Sequence, residues 1–153
     1  MKRRSNSLVD LMLVSNPQLL SVVRGAIERL SEIFGFSPAE CRSVTRAVDE
    51  ALANVIRHAY GNRPDRIIQV CCGRVYHQAA GKRREGLEIL LLDRGVAFDH
   101  KKLKERCLDE VKPGGLGLHF IRDSVDIMEH SRVRGTNQLR LVKFANPRAA
   151  ATH

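Results

Sequence analysis

The run from Ser37 to Tyr60, "SPAECRSVTRAVDEALANVIRHAY", constrains this chain more than any other stretch. Ser37 is placed to cap a helix, Pro38 suits the first helical position, and Glu40, three residues after the cap, completes a capping box. Val44, Val48, Ala51, Leu52, Val55 and Ala59 then recur at spacings of three and four, which draws a broad apolar stripe to about Tyr60, where "YGNRPD" stops it. A helix this long with so wide an apolar face needs a second layer to cover it.

The rest of the chain supplies that layer. "SLVDLMLVS" reads as a strand from about Leu8 to Val14. Asn16 and Pro17 then open a helix whose apolar face is Leu19, Leu20, Val23, Ile27 and Leu30, ending at Phe34 and Gly35. "RIIQVCCGRVY" and "LEILLLD" are β-rich and should pair antiparallel, with "HQAAGKRREG" as a long basic connecting loop. Leu87, Ile89 and Leu91 face one way and Leu90 and Leu92 the other, the pattern of a central strand covered over much of its length. From Arg94 to Lys112 the sequence turns polar, and "PGGLGLHFIRDSVDIMEH" reads as a glycine loop feeding a helix. Two last strands, near Met128 to Val133 and Leu139 to Phe144, flank a turn made of Gly135, Thr136 and Asn137. Helices grouped beside strands in this order predict an α/β two-layer sandwich, with a mixed, mostly antiparallel sheet and the helices on one face.

At 153 residues the chain fits one domain, spanning 1–153 with a core at about 8–144 and loose termini. No apolar run approaches the roughly 20 residues needed to span a bilayer, and Asp10 interrupts the only apolar segment near the amino terminus, so a soluble cytoplasmic protein is expected. Cys41, Cys71, Cys72 and Cys107 form no CxxC pair and read as small buried hydrophobes rather than a zinc site. The net charge of +9 collects at Lys2-Arg3-Arg4, Lys82-Arg83-Arg84 and Lys101-Lys102 with Lys104. Such runs attract phosphate or acidic protein surfaces, or they are simply solvated ends and loops. No aromatic residue is interleaved with them, so direct nucleic-acid binding is not expected.

Three stretches could carry chemistry. Glu50, Asn54 and His58, spaced by four, form a polar ridge along the flank of the apolar stripe, where Asn54 could offer a hard oxygen to Mg²⁺ and Glu50 could handle a proton. By spacing alone this is equally an ordinary polar border. In "LLDRGVAFD" a strand runs into Asp93, placed to accept a hydrogen bond from an exocyclic amine, while Gly95 would let a flat ring approach the backbone; a plain strand-ending turn has the same look. "GGLGL", Gly114 to Leu118, opens a helix and could cradle phosphate or act as a hinge, and no "GK[ST]" follows to make it a P-loop.

Taken together, "DEALANVIRHAY", "DRGVAFD" and "GGLGL" resemble the N, G1 and G2 boxes of the Bergerat-fold ATPases, the superfamily of gyrase B, Hsp90, histidine kinases and MutL. With "GTNQLRLVK", the chain is most similar to the stand-alone anti-sigma-factor serine kinases of the RsbW and SpoIIAB type, over about Leu8 to Phe144. The resemblance implies ATP and Mg²⁺ as ligands, Glu50 as general base and Asn54 as the metal-coordinating amide. It also implies Asp93 under the adenine amino group with Gly95 beside the ring, Gly115 and Gly117 against the phosphates, Thr136 supporting the adenine end, and a lid within Arg94 to Pro113.

The implied function is an ATP-dependent serine/threonine kinase, a homodimer, that phosphorylates a STAS-domain anti-anti-sigma factor and holds a sigma factor by partner switching. One position departs from the pattern: Pro113 stands where kinases of this branch carry a basic residue before the glycines, with Lys112 and Arg106 as nearby cations. That departure keeps a second reading open, a non-catalytic regulator in which nucleotide only sets the conformation for a protein partner. The catalytic domain of a two-component histidine kinase fits less well, because the chain has no room for a helical hairpin carrying a phosphoacceptor histidine, and His58 is expected to be structural.

Overall fold

The computed structural model describes residues 6–99 and 116–146. The basic runs at Lys2-Arg3-Arg4 and Lys101-Lys102, the implied lid beyond Asp99, Arg106, Cys107, Lys112, Pro113, Gly114, Gly115 and the tail from residue 147 lie outside them. Five strands form one sheet: β1 (Ser7–Val14), β2 (Ile67–Ala79), β3 (Lys82–Asp93), β4 (Ile127–Val133) and β5 (Thr136–Phe144), in the order β1-β2-β3-β5-β4. Every neighbouring pair is antiparallel, so the sheet expected to be mostly antiparallel is entirely so. The helices are α1 (Leu20–Ile33), α2 (Pro38–Asn54) and α3 (Leu116–Ser124).

The helix ends follow their sequence signals. Asn16 accepts from the Gln18 backbone N–H, and Pro17 begins a short 3-10 turn rather than α-helix before α1 starts at Leu20. Gly35, at φ 77°, lets the chain leave α1 by a left-handed residue. At α2, Ser37 accepts from Glu40 N–H at 3.2 Å while the Glu40 carboxylate accepts from Ser37 N–H at 2.8 Å, so both halves of the capping box are made.

The core lies between the helices and one face of the sheet. Val23 and Ile27 from α1 and Val44, Val48 and Leu52 from α2 meet Ile68, Val70, Leu87, Ile89, Leu91 and Leu141, all essentially inaccessible to solvent. β3 sits third of five, and its Leu87, Ile89, Leu90 and Leu91 are buried. The strand is central, with Leu87, Ile89 and Leu91 fully covered on one face and, on the other, Leu90 buried and Leu92 half-buried.

Two expected loops are instead tight hairpins. The basic stretch around Lys82 is not a long connection, because β2 and β3 stay paired out to Ala79 and Lys82 across a two-residue turn, Ala80-Gly81, with φ of 50° and 73°. Positive φ at both central residues is the turn geometry that matches strand twist, so the ladder closes without a loop. Arg83 and Arg84 cover the Tyr76 and Phe144 rings, which anchors the two cations along the hairpin. The last hairpin turns the same way at Arg134-Gly135, φ 50° and 78°, so Thr136 and Asn137 belong to β5 and not to the turn.

Candidate functional site

α2 does not run unchanged to Tyr60. From Val55 to Ala59 the helix widens into a π turn, closed by Tyr60 N–H donating to Val55 O at 3.0 Å and Asn62 N–H donating to Ile56 O at 2.8 Å. Such widened turns occur often at functional sites. Here the widening leaves the Ala59 carbonyl free, and it accepts from Val96 N–H at 2.9 Å in the segment after β3. Gly95 lies so close that a Cβ there would sit 2.3 Å from the same carbonyl oxygen. The Tyr60 hydroxyl adds a second clasp, donating to Ile67 O at 2.5 Å and accepting from Arg94 N–H at 2.9 Å. The end of α2 and the end of β3 are thereby locked together, with a cavity of about 260 Å³ between them.

Asp93 is at one side of that cavity, 6% exposed, and its Oδ1 accepts from Gly95 N–H at 2.9 Å and from Asn137 Nδ2 at 2.8 Å. Among the described residues no hydrogen bond engages its Oδ2, which leaves an acceptor for a ligand donor. Asn137, 3% exposed, also donates to Val96 O, and its Oδ1 accepts from Arg132. The β5 register explains this contact: Asn137 pairs with Asp93, whereas Thr136 pairs with Val133 at the hairpin end and the cavity wall is its neighbour. Sequence reasoning singled out Thr136 and passed over Asn137, because the turn was drawn two residues too far. Its signal was the "RG" pair, which supplies both positive-φ residues of the hairpin.

Ala51, Asn54, Val55, His58 and Ala59 line the cavity from the α2 side, and Leu91, Ile121, Met128 and Leu139 add apolar lining. A largely apolar lining with a few polar groups suits a heteroaromatic ring. Phe98 stacks on His130 at 4.1 Å between ring centroids, at the mouth of the same cavity.

Glu50 lies one turn before Asn54 on α2 and stands beside the helix α3 that carries Gly117. A Cβ at Gly117 would be 2.3 Å from Glu50 Oε1, so with Glu50 in this position the carboxylate lies against the bare glycine backbone. Arg57 joins two members of the ridge: its Nη2 donates to Glu50 Oε1 at 3.3 Å and to Asn54 Oδ1 at 3.1 Å. The two oxygens thus share one guanidinium nitrogen. Among the described residues no group of three His, Cys, Asp or Glu side chains could cage a metal. A Mg²⁺ ion fits such a site as it does many phosphate-binding sites, with Asn54 as one protein oxygen and the remaining ligands from phosphates and water.

Of the expected site residues, Asn54 and Asp93 line the cavity, Gly95 and Gly117 make the close approaches beside it, Glu50 stands next to Gly117, Thr136 is adjacent to a lining residue, and Gly115 is outside the described residues. No helix of the described residues is long and apolar enough to cross a membrane.

The sheet backed by helices on one face thus carries an Asp–Asn pair at its strand ends and a carboxylate–amide ridge on the facing helix. The histidine kinase-like ATPase domain matches residues 13–143, and the chain belongs to that family. Among named relatives, the serine-protein kinase RsbW of Bacillus pumilus is 24% identical over 147 residues, covering 91% of this chain and 86% of its own. RsbW of Bacillus licheniformis is 26% identical over 152 residues, covering 94% and 89%. In solved structures the fold is similar to a chain of the SiaB–SiaC complex from Pseudomonas aeruginosa, with a TM-score of 0.58 at 16% identity over 91% of this chain and 90% of that one. It is also similar to the RsbU and RsbW domains of a Mycobacterium tuberculosis protein, with a TM-score of 0.55 at 14% identity over 91% of this chain and 33% of that one.

Proposed function

We propose that this chain is an ATP-dependent protein serine/threonine kinase of the anti-sigma-factor type, acting in the cytoplasm as a homodimer on a STAS-domain partner and holding a sigma factor by partner switching. The observation that carries the reading is the cavity with the buried Asp93–Asn137 pair at one side and Asn54 at the other. Adenine fits the first side, its exocyclic amine donating to Asp93 and its ring lying along the apolar lining by Gly95. The phosphates then reach Asn54 and the start of α3, where Gly117 allows close approach. Similarity to RsbW serine-protein kinases supports the reaction class.

Phosphoryl transfer asks a protein for position and charge more than for covalent chemistry. Asn54 would hold Mg²⁺, which when bound neutralises charge on the phosphate oxygens. Glu50 is the carboxylate on this face of α2 and is assigned the orienting or deprotonation of the serine hydroxyl brought by the partner. The clasp of Ala59 to Val96 and of Tyr60 to Arg94 keeps the two ends of the site at fixed separation.

The test is incubation with terminally labelled ATP, Mg²⁺ and a cognate STAS-domain protein. Label on a serine or threonine of the partner is expected with the native chain and not with Glu50→Ala. Measurable ATP binding without any transfer would favour the second reading, a nucleotide-dependent regulator without catalysis, toward which Pro113 points because it replaces a basic residue next to the phosphates.

A further inference from the structure

The grip of Arg57 on Glu50 and Asn54 is explained neither by the fold nor by the assigned chemistry. Among the described residues, Arg57 is the hydrogen-bond partner of both the Glu50 carboxylate and the Asn54 amide oxygen, through a single nitrogen, Nη2. Those are the oxygens given above to the proton and to the metal. The guanidinium therefore occupies Asn54 Oδ1, the oxygen a divalent cation would need, and brings positive charge beside Glu50. It also lies on the segment where the helix widens, seven residues beyond Glu50 and three beyond Asn54, so that one side chain reaches both.

We infer that Arg57 is an internal counter-cation that holds Glu50 and Asn54 together in the nucleotide-free protein and is displaced by Mg²⁺. The inference rests on the nucleotide-site reading and adds the residue that sets the metal requirement. Mg²⁺ demands a near-octahedral oxygen shell at about 2.0–2.1 Å, which the amide oxygen cannot complete while it accepts from a guanidinium in the same space. For Asn54 to hold the metal, its Oδ1 would first have to give up the hydrogen bond from Arg57. Arg57 is 47% and Glu50 31% exposed on their side chains, so solvent screens the pair and the barrier is modest. The mobile cation makes nucleotide binding sensitive to free Mg²⁺ while leaving adenine recognition at Asp93, across the cavity, untouched.

Equilibrium dialysis of labelled ATP across a range of free Mg²⁺, and in excess chelator, tests this with the native chain, Arg57→Gln and Arg57→Lys. Arg57→Gln is expected to bring the half-saturating Mg²⁺ down by roughly two- to five-fold, the scale of a half-exposed ion pair. Its ATP affinity in chelator should match that of the native chain. Arg57→Lys, which keeps a charge on a flexible stem, should restore part of the native Mg²⁺ requirement. An unchanged or higher Mg²⁺ midpoint in Arg57→Gln, with ATP still bound by both proteins, would overturn the counter-cation role alone. A loss of affinity in chelator equal to that in Mg²⁺ would overturn it as well, since Arg57 would then be a phosphate ligand. If no protein binds ATP at any Mg²⁺ concentration, the nucleotide-site reading falls and the counter-cation role with it.

Discussion

Asn137 donates its side-chain amide to Asp93 Oδ1 at 2.8 Å, across registered positions of β5 and β3, and both side chains are buried. Asn137→Leu keeps bulk but removes that donor and the one to Val96 O. Hydrogen bonds to carboxylates contribute about 1.5–3 kcal/mol, so urea denaturation should show a loss of that order. Calorimetry should show weaker ATP binding in the same variant, because Asp93 loses the group that orients it. An unchanged denaturation midpoint would remove Asn137 from the account.

Two glycines make opposite predictions. At Gly95 a new Cβ would meet the backbone oxygen of Ala59 at 2.3 Å, which cannot yield without opening the clasp, so Gly95→Ala should destabilise the fold by about 1–3 kcal/mol in thermal melts. At Gly117 the atom met is the tip of the Glu50 side chain, also at 2.3 Å, which can rotate away. Gly117→Ala should therefore melt close to the native chain, within about 1 kcal/mol, while phosphotransfer falls at least as far as in a Glu50 variant. Equal melting losses for the two would contradict the difference in what each glycine touches.

Tyr60→Phe deletes only the hydroxyl that joins Ile67 O to Arg94 N–H. The expected cost is about 1–2 kcal/mol of stability. Amide hydrogen exchange should speed up at Arg94, the one N–H that loses its acceptor, more than within β3. Uniform protection in both proteins would show that the clasp is redundant.

Burial pushes the Cys72 thiol up to about 12 from an ordinary value of 9.0. The folded chain thus holds this proton more tightly than the unfolded chain. Its contribution to stability is fully present below pH 9.0 and is lost as pH rises toward about 12. At pH 8, mass spectrometry after iodoacetamide treatment should find Cys72 unmodified in the native protein and modified in denaturant, whereas the half-buried Cys71 is the faster of the two.

Much of the architecture was legible because it rests on local signals. The Ser37 and Glu40 capping box, the Asn16 cap and the two-sided apolar pattern of Leu87 to Leu92 each encode an element directly. The hairpins were less legible: Ala80-Gly81 and Arg134-Gly135 are two-residue turns whose first member is not a residue that advertises positive φ. Placing the second turn too late hid Asn137, since a shift of that size decides which β5 side chain meets Asp93. The change to a π turn after Asn54 left no mark in the apolar period, and with it went the reach of Arg57 to Glu50. Asp93, Asn54 and Gly95 were singled out because each box has its own residue pattern. That Asp93 and Asn54 line one cavity, with Gly95 beside it, depends on contacts between α2, β3 and β5 that no single stretch contains.

The most direct test of the account is calorimetric titration of ATP with Mg²⁺ into the native chain and into Asp93→Ala, with circular dichroism confirming that the variant is folded. The site described here predicts saturable one-to-one binding to the native chain and a loss of more than roughly ten-fold in affinity for Asp93→Ala. ATP bound equally well by both proteins, or by neither, would contradict a nucleotide site built on Asp93.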